Sequence, residues 1–288
     1  MFKSLFRSLT GTSPVSKIVF QNTGDGVPRI PIGISTMNPD GSQVSKIRSY
    51  GSEPAWSPNG KWIAFSGFVD GYKPYAFNIH IMKPDGTDVR QITHHRTGGA
   101  SSPSWSNDST TIAYYVFEDG REHQIWIVDV TSGKETQLAV NGTSPVWTST
   151  REIVFEVYAG SHPLMIVDVR FREPRECRLF QDGDWSIRWS PEGDKIAFIR
   201  DREIYVMESN GGNLKKIRSG PVATGLSWSP DGRQLVFYGS RERQAEKAGK
   251  EIYVIDYDGS NERKILANPW RNDRVAELNH VCWSPWLN

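Results

Sequence analysis

The chain has 288 residues, of which 37% are hydrophobic and 23% charged, with a formal net charge of +1. That balance belongs to a soluble globular protein. It provides no overall field toward nucleic acid or an anionic surface. No stretch approaches the ~20 apolar residues of a membrane-spanning helix, so neither nucleic acid nor a membrane span is expected.

The first 16 residues hold Lys3 and Arg7 among scattered apolar side chains. They lack the continuous run of about 7–15 apolar residues that a secretory signal needs. Residues 1–16 therefore read as a flexible arm, and the chain as cytoplasmic. Lys17–Gln21 (KIVFQ) is the first predicted strand. From there a single phrase recurs: Trp56 in PAWSPNG, Trp105 in PSWSNDS, Trp147 in PVWTSTR, Trp189 in IRWSPEG, Trp228 in LSWSPDG and Trp283 in VCWSPWL. A unit of about 40–45 residues with a Trp signature is the mark of a four-stranded propeller blade.

Within each unit, short β-branched or aromatic runs are bounded by Pro, Gly, Asn or Asp. After Trp56 and its turn come Trp62–Ser66, Asn78–Met82 and Val89–Thr93; then Thr111–Tyr115, Gln124–Asp129 and Glu135–Ala139; then Glu152–Val157, Pro163–Asp168 and Glu176–Phe180. The cleanest unit reads Ser186–Ser190, Lys195–Ile199, Glu203–Met207 and Leu214–Arg218, and the last reads Arg233–Tyr238, Glu251–Ile255 and Arg263–Leu266. The chain starts on a second strand and ends on a Trp strand, His280–Ser284. The predicted fold is all-β: a six-bladed propeller over residues 17–288, its ring closed by the C-terminal strand completing the first blade. The six tryptophans are expected as wedges between blades, since Trp buries up to ~250 Å². The Ser-Pro-Asp-Gly-type turns are expected as tight reversals, not calcium loops. Cys177 and Cys282 fall at different strand positions and are not expected to pair.

Phrases of the form P-x-W-S-P-D-G-x-x-I-A-F, with Ile-Tyr-Val-Met further on, resemble the WD40-like (PD40) repeats of the TolB family. The match is close at Trp56, Trp189 and Trp228 and looser at Trp105 and Trp147. The resemblance covers about residues 17–286 and implies a stand-alone propeller, without the α/β domain that precedes the propeller in TolB. It also implies, as an alternative location, the periplasm and a Tol–Pal-like envelope role. Related propellers precede the catalytic domain of prolyl-oligopeptidase-type peptidases; no Gly-x-Ser-x-Gly phrase occurs here.

If the inner strand of each blade runs down from the top face, the varied connections cluster at the top, where grafted function is expected. The residues expected to bind at the top face are Glu53, Phe68, Tyr72, Tyr75, His94, His95, Asp184, Trp185, Trp270, Arg271 and His280. The mouth of the channel is expected to be lined by the residue three before each Trp: Glu53, Ser102, Ser144, Ser186, Gly225 and His280. No nucleophile–base constellation is visible, so no catalytic residue, metal or cofactor is assigned. The leading reading is a non-catalytic, monomeric scaffold binding a protein or peptide. The alternative is a metal-assisted lyase or hydrolase built on His94, His95, His280, Glu53 and Asp184.

Overall fold

The β-branched and aromatic runs form strands joined by the predicted turns. The computed structural model describes residues 15–22, 33–68, 76–157, 164–220, 222–240, 251–266 and 280–287. β1 (Ile18–Asn22), β2 (Gly33–Met37) and β3 (Ser45–Arg48) make the first antiparallel set. β4 (Ser52–Trp56), β5 (Ile63–Phe68), β6 (Phe77–Met82) and β7 (Arg90–Gln91) make the second. β8 (Gly99–Trp105), β9 (Thr111–Phe117), β10 (Gln124–Asp129) and β11 (Glu135–Val140) make the third. β12 (Gly142–Trp147), β13 (Glu152–Val157), β14 (Leu164–Asp168) and β15 (Arg175–Glu176) follow. Next come β16 (Trp185–Trp189), β17 (Lys195–Arg200), β18 (Glu203–Glu208) and β19 (Lys215–Arg218). The last set is β20 (Val222–Trp228), β21 (Gln234–Ser240), β22 (Glu251–Asp256) and β23 (Arg263–Leu266). β24 (Val281–Trp283) returns to pair with β1, Ile18 opposite Trp283.

The fold is an all-β propeller of four-stranded antiparallel sheets. Where the sequence predicted six separate sheets, four stand alone and the β4–β7 and β8–β11 sets are joined into one of eight strands. The join is a single parallel bridge between Phe77 and Gly99. Gly99 permits it: a Cβ there would lie 2.7 Å from the Cβ of Phe77.

The recurring Trp-Ser-Pro phrase builds one latch at four bottom turns. The serine after the Trp donates its hydroxyl to the turn carboxylate or amide: Ser57 to Asn59, Ser106 to Asp108, Ser190 to Asp194 and Ser229 to Asp231. The same oxygen accepts the main-chain N–H five residues on, at 2.9–3.0 Å. Gly60, Gly193 and Gly232 follow at φ of +66° to +75°, and Ser109 adopts +62° where the Ser106 turn has no glycine.

The core is divided into clusters, each between consecutive strand sets. Val19 and Ile34 meet Trp56, Ile63 and Phe65, and Ile79 and Ile81 meet Trp105, Ile112 and Tyr114. Ala113, Ile125 and Leu138 meet Ile153, Phe155 and Val167. Val154, Leu164 and Cys177 meet Ile187, Ile196 and Phe198. Ile204 and Ile217 meet Leu226, Trp228 and Phe237. Ile18, Phe20 and Met37 meet Val236, Tyr238 and Val254.

The tryptophans lie in these interfaces. The Trp105 indole donates to the Ala55 carbonyl at 3.1 Å and that of Trp228 to the Arg188 carbonyl at 2.9 Å, each on the preceding inner strand. The Trp283 indole donates to Ser16, and Val15 bridges Leu287, so the last two residues of the predicted arm are tied to the C-terminal segment. Residues 1–14 lie outside the described residues.

Two outer strands differ from expectation. Val89–Thr93 narrows to β7 because Thr93 turns its hydroxyl inward, accepting from Ile79 N. The strand predicted at Glu176–Phe180 is instead β15, because the chain turns after Cys177 and Phe180 folds inward, edge-on to Trp189 and Phe198. Both cysteines are free thiols.

Candidate functional site at the channel mouth

β4, β8, β12, β16, β20 and β24 each run to the recurring Trp, and neighbouring members pack side by side: β4 with β8 and β24, β8 with β12, and β20 with β16 and β24. Five share a break just inside their start. The register with the second strand shifts between Ser52 and Ala55, Ser101 and Ser104, Thr143 and Val146, Trp185 and Arg188, and Thr224 and Leu226. The left-handed residue in each break is the one three positions before the Trp: Glu53 (φ +54°), Ser102 (+54°), Ser144 (+51°), Ser186 (+54°) and Gly225 (+59°). Four of the five are not glycine, and each costs about 1–2 kcal/mol of backbone strain. A repeated bulge re-aims its side chain, which is how one sequence position becomes a set of side chains at the mouth.

Glu53 is the hub. Ser66 and Ser101 donate hydroxyls to its Oε2, the Ser102 amide donates to the same oxygen at 2.6 Å, and the Ser102 hydroxyl reaches Oε1 at 3.2 Å. His280 Nε2 stands 3.3 Å from Oε1, and the Glu53 amide donates to Gln21. One carboxylate thus ties the starts of β24, β4 and β8. Burial opposes its charge, but the neighbouring His280 imidazole and the bonds from His280, Ser101 and Ser102 prevail and hold its pKa at about 2.

The other predicted residues divide. Asp184 is fully buried and gripped by the Arg200 fork, with Nε and Nη2 each 2.7 Å from a carboxylate oxygen; its oxygens serve the interior of the blade. Trp185 packs against the cluster around Leu226. His94 is exposed, whereas His95 turns inward, 3.5 Å from Glu135, which also accepts from the buried Tyr114 hydroxyl at 2.6 Å. Burial lowers the pKa of His95 against the pull of Glu135. The adjacent cavity, of roughly 230 Å³, is lined by His95, Val116, Glu118, Arg121, Glu122, Gln124 and Trp126. Tyr72, Tyr75, Trp270 and Arg271 lie outside the described residues. The five residues of the metal reading are spread over separate networks, and among the described residues no group of three or more His, Cys, Asp or Glu could hold a metal ion.

Phe68 is 37% exposed and packs against Phe77 with the rings tilted by 40° and their centres 4.1 Å apart. Phe77 reaches Phe117 at 6.1 Å, which meets Tyr115 at 6.0 Å, and Tyr115 stacks on His123 at 5.7 Å. This half-exposed aromatic row spans the top of β5, β6 and β9. In the sequence, Phe68 and Phe77 stand at the two ends of an aromatic-rich segment and His123 among the histidines near the top, whereas Tyr115 and Phe117 carry no mark beyond their strand. Phe77 lies opposite Phe68 in register, and Tyr115 and Phe117 share a face at i and i+2; that period was the available signal for the rest.

No family model matches the chain. It is 29% identical over 146 residues to a TolB homolog of Chlorobium chlorochromatii, covering 50% of this chain and 32% of that protein. It is 26% identical over 129 residues to the Tol-Pal system protein TolB of Nitratidesulfovibrio vulgaris, covering 43% and 29%. The matches thus span about a third of these relatives' length. Among solved structures, TolB from Acinetobacter baumannii superposes with a TM-score of 0.76 at 18% identity, covering 98% of this chain and 70% of that one. The putative TolB from Agrobacterium tumefaciens gives 0.62 at 13% identity, covering 96% and 94%.

Proposed function

We propose that this TolB-like β-propeller is a non-catalytic scaffold that binds a protein or peptide across its top face and channel mouth. One contrast at the top face carries the reading. The ionisable groups Glu53, His95, Asp184 and His280 are engaged with internal partners, while the row Phe68, Phe77, Tyr115 and Phe117 stays half-exposed. Engaged charges make a rigid rim, and partly exposed aromatic side chains are the usual anchors of a protein interface.

In this reading the propeller has six blades. In its support, the apolar clusters lie between consecutive strand sets in cyclic order, including one between β8–β10 and β5–β6 inside the joined sheet and one between the last set and the first. Closure of the ring by β24 draws support from its register with β1 and from Trp283 N donating to Ser227 while Cys282 accepts from Trp56 N. The protein acts as a monomer. The likeness to TolB homologues favours an envelope role and the periplasmic location over the cytoplasmic one expected from sequence.

The test is capture from the source organism's extract with the intact protein, a Phe68→Ala/Phe117→Ala variant and a bottom-face Tyr257→Ala variant. A protein held by wild type and Tyr257→Ala but lost by the double variant is the expected result. Equal retention by all three, or turnover of a substrate at the mouth, would overturn the reading.

A further inference from the structure

The inner-strand residue immediately before each Trp forms a second level, below Glu53: Ala55, Ser104, Val146, Arg188, Ser227 and Cys282. At three of these positions the side chain accepts an N–H from the next inner strand. Trp147 N donates to Ser104 Oγ at 3.1 Å, Trp283 N to Ser227 Oγ at 2.9 Å, and Trp56 N to Cys282 Sγ at 3.4 Å. Side chains at this level therefore lie along the channel wall between neighbouring strands. Arginine has no acceptor to offer and is too long for that place.

Arg188 is unlike the other inward arginines. Arg200 is locked on Asp184, and Arg218 is 3.3 Å from Glu262 and lies over the Phe237 ring. Arg188 makes one hydrogen bond, from Nη1 to its own neighbour's carbonyl, Ile187 O, at 2.8 Å. Among the described residues no carboxylate lies within ion-pair distance of it. The thiol of Cys282 on β24, which burial keeps protonated, and the carboxylate of Glu156 on β13 lie near enough to influence it; they belong to sheets other than its own, which places its head between those sheets. Burial lowers its proton affinity, but a guanidinium stays protonated in a protein. The result is a fixed cation with four N–H donors unspent, ringed at its own level by uncharged side chains. The residue is half-buried, not sealed from solvent, so water meets its remaining N–H groups, and an anion reaching it exchanges that water for a charge-assisted hydrogen bond. The carboxylate above it, Glu53, already accepts hydrogen bonds from Ser66, Ser101 and Ser102 and lies 3.3 Å from His280, so its oxygens are engaged away from such an anion.

We propose that the channel holds a binding position for one carboxylate group, with Arg188 as its recognition residue. The flat fork of a guanidinium matches the two oxygens of a carboxylate. A single fixed cation balances a single negative charge, so a carboxylate is favoured over a phosphate dianion, whose second charge would stay uncompensated. The carboxylate comes either from a small free acid or from the C-terminus or acidic side chain of an inserted peptide. The site stands apart from the top-face reading, since a free acid satisfies it.

The intact ¹⁵N-labelled protein is titrated at constant ionic strength with sodium acetate, with inorganic phosphate, and with a short neutral peptide in free-acid and amidated forms. The Arg188 Nε–Hε resonance is followed, and affinities are measured by calorimetry. A saturable shift with acetate identifies a small free acid as sufficient, and one with the free-acid peptide alone identifies a peptide source; either supports the site. Arg188→Gln is expected to weaken binding at least tenfold and the bottom-face Tyr257→Ala to leave it unchanged, while Arg188→Gln is expected to retain the protein captured through the aromatic surface, so the two sites fail separately. Removing the charge of a half-buried arginine that has no ion-pair partner is not expected to unfold the protein, and the wild-type titration stands without the variant. No saturable shift with acetate or peptide, undiminished binding by Arg188→Gln, or tighter binding of phosphate would overturn the proposal.

Discussion

At the bottom rim, Ser57, Ser106, Ser190 and Ser229 make the same two hydrogen bonds in the same turn. At the top rim, Glu53, Ser102, Ser144 and Ser186 share one left-handed backbone conformation yet carry different chemistry: one is a carboxylate binding three inner strands, another a serine accepting the Leu226 N–H. The bottom repeats both backbone and side chain; the top repeats only the backbone. A repeat whose side chains are consumed by its own turn is fixed by folding. A repeat that fixes only φ and ψ leaves the side chain free to vary from blade to blade, so individuality collects there.

The largest effect that would break this comparison lies where the two rims share a sheet. Deleting residues 280–288 removes β24, including buried Val281 and Trp283 and the His280 partner of Glu53. Losing two buried side chains and an edge strand is expected to cost about 5 kcal/mol or more. Thermal unfolding should show a large drop in Tm, and an unchanged Tm would mean that the first sheet does not depend on its C-terminal strand.

Asp184→Ala leaves the Arg200 guanidinium, 18% exposed, without its partner. The expected loss is about 3–5 kcal/mol in urea unfolding. A loss below about 1 kcal/mol would return Asp184 to the list of surface groups.

Glu53→Gln sharpens the contrast through pH. The folded pKa of about 2 lies below the ordinary glutamate value. Its stabilisation is therefore fully present above about pH 4.5 and is lost as the pH falls toward 2. Wild type should exceed Glu53→Gln by about 2–3 kcal/mol at pH 6, with the gap closing in that acid window. A gap independent of pH would show that the Glu53 charge is not what joins the three strands.

The smallest effects set the rims against each other directly. Ser229→Ala at the bottom loses a hydroxyl that both donates and accepts, at about 1 kcal/mol. Ser144→Gly at the top, where φ is +51°, is expected to be neutral or stabilising by up to about 1 kcal/mol. Equal losses at both sites would erase the distinction.

The turns, most strand positions and the return of the last strand to the first were legible in the sequence, because each depends on local chemistry. Pro, Gly and Asp fix a reversal, and β-branched runs fix a strand. The positions three residues before each Trp were legible as a period. Their bulged geometry was not, since serine and glutamate give no local signal for a left-handed backbone; the packed sheets impose it. The sequence likewise offered Asp184 as a surface acid, and only the fold brought Arg200 across β17 to claim both its oxygens.

By itself, then, the amino-acid order determined an all-β repeat, its turn chemistry and its Trp-filled interfaces, because short-range sterics and hydrogen bonds decide those. The tertiary structure decided which charges are spent and which remain: Glu53 and Asp184 are paired with residues from other strands, and Arg188 is left with one carbonyl. Such pairings join groups up to 227 residues apart, as between Glu53 and His280, and nothing local in the chain encodes a distance that only the packed sheets create.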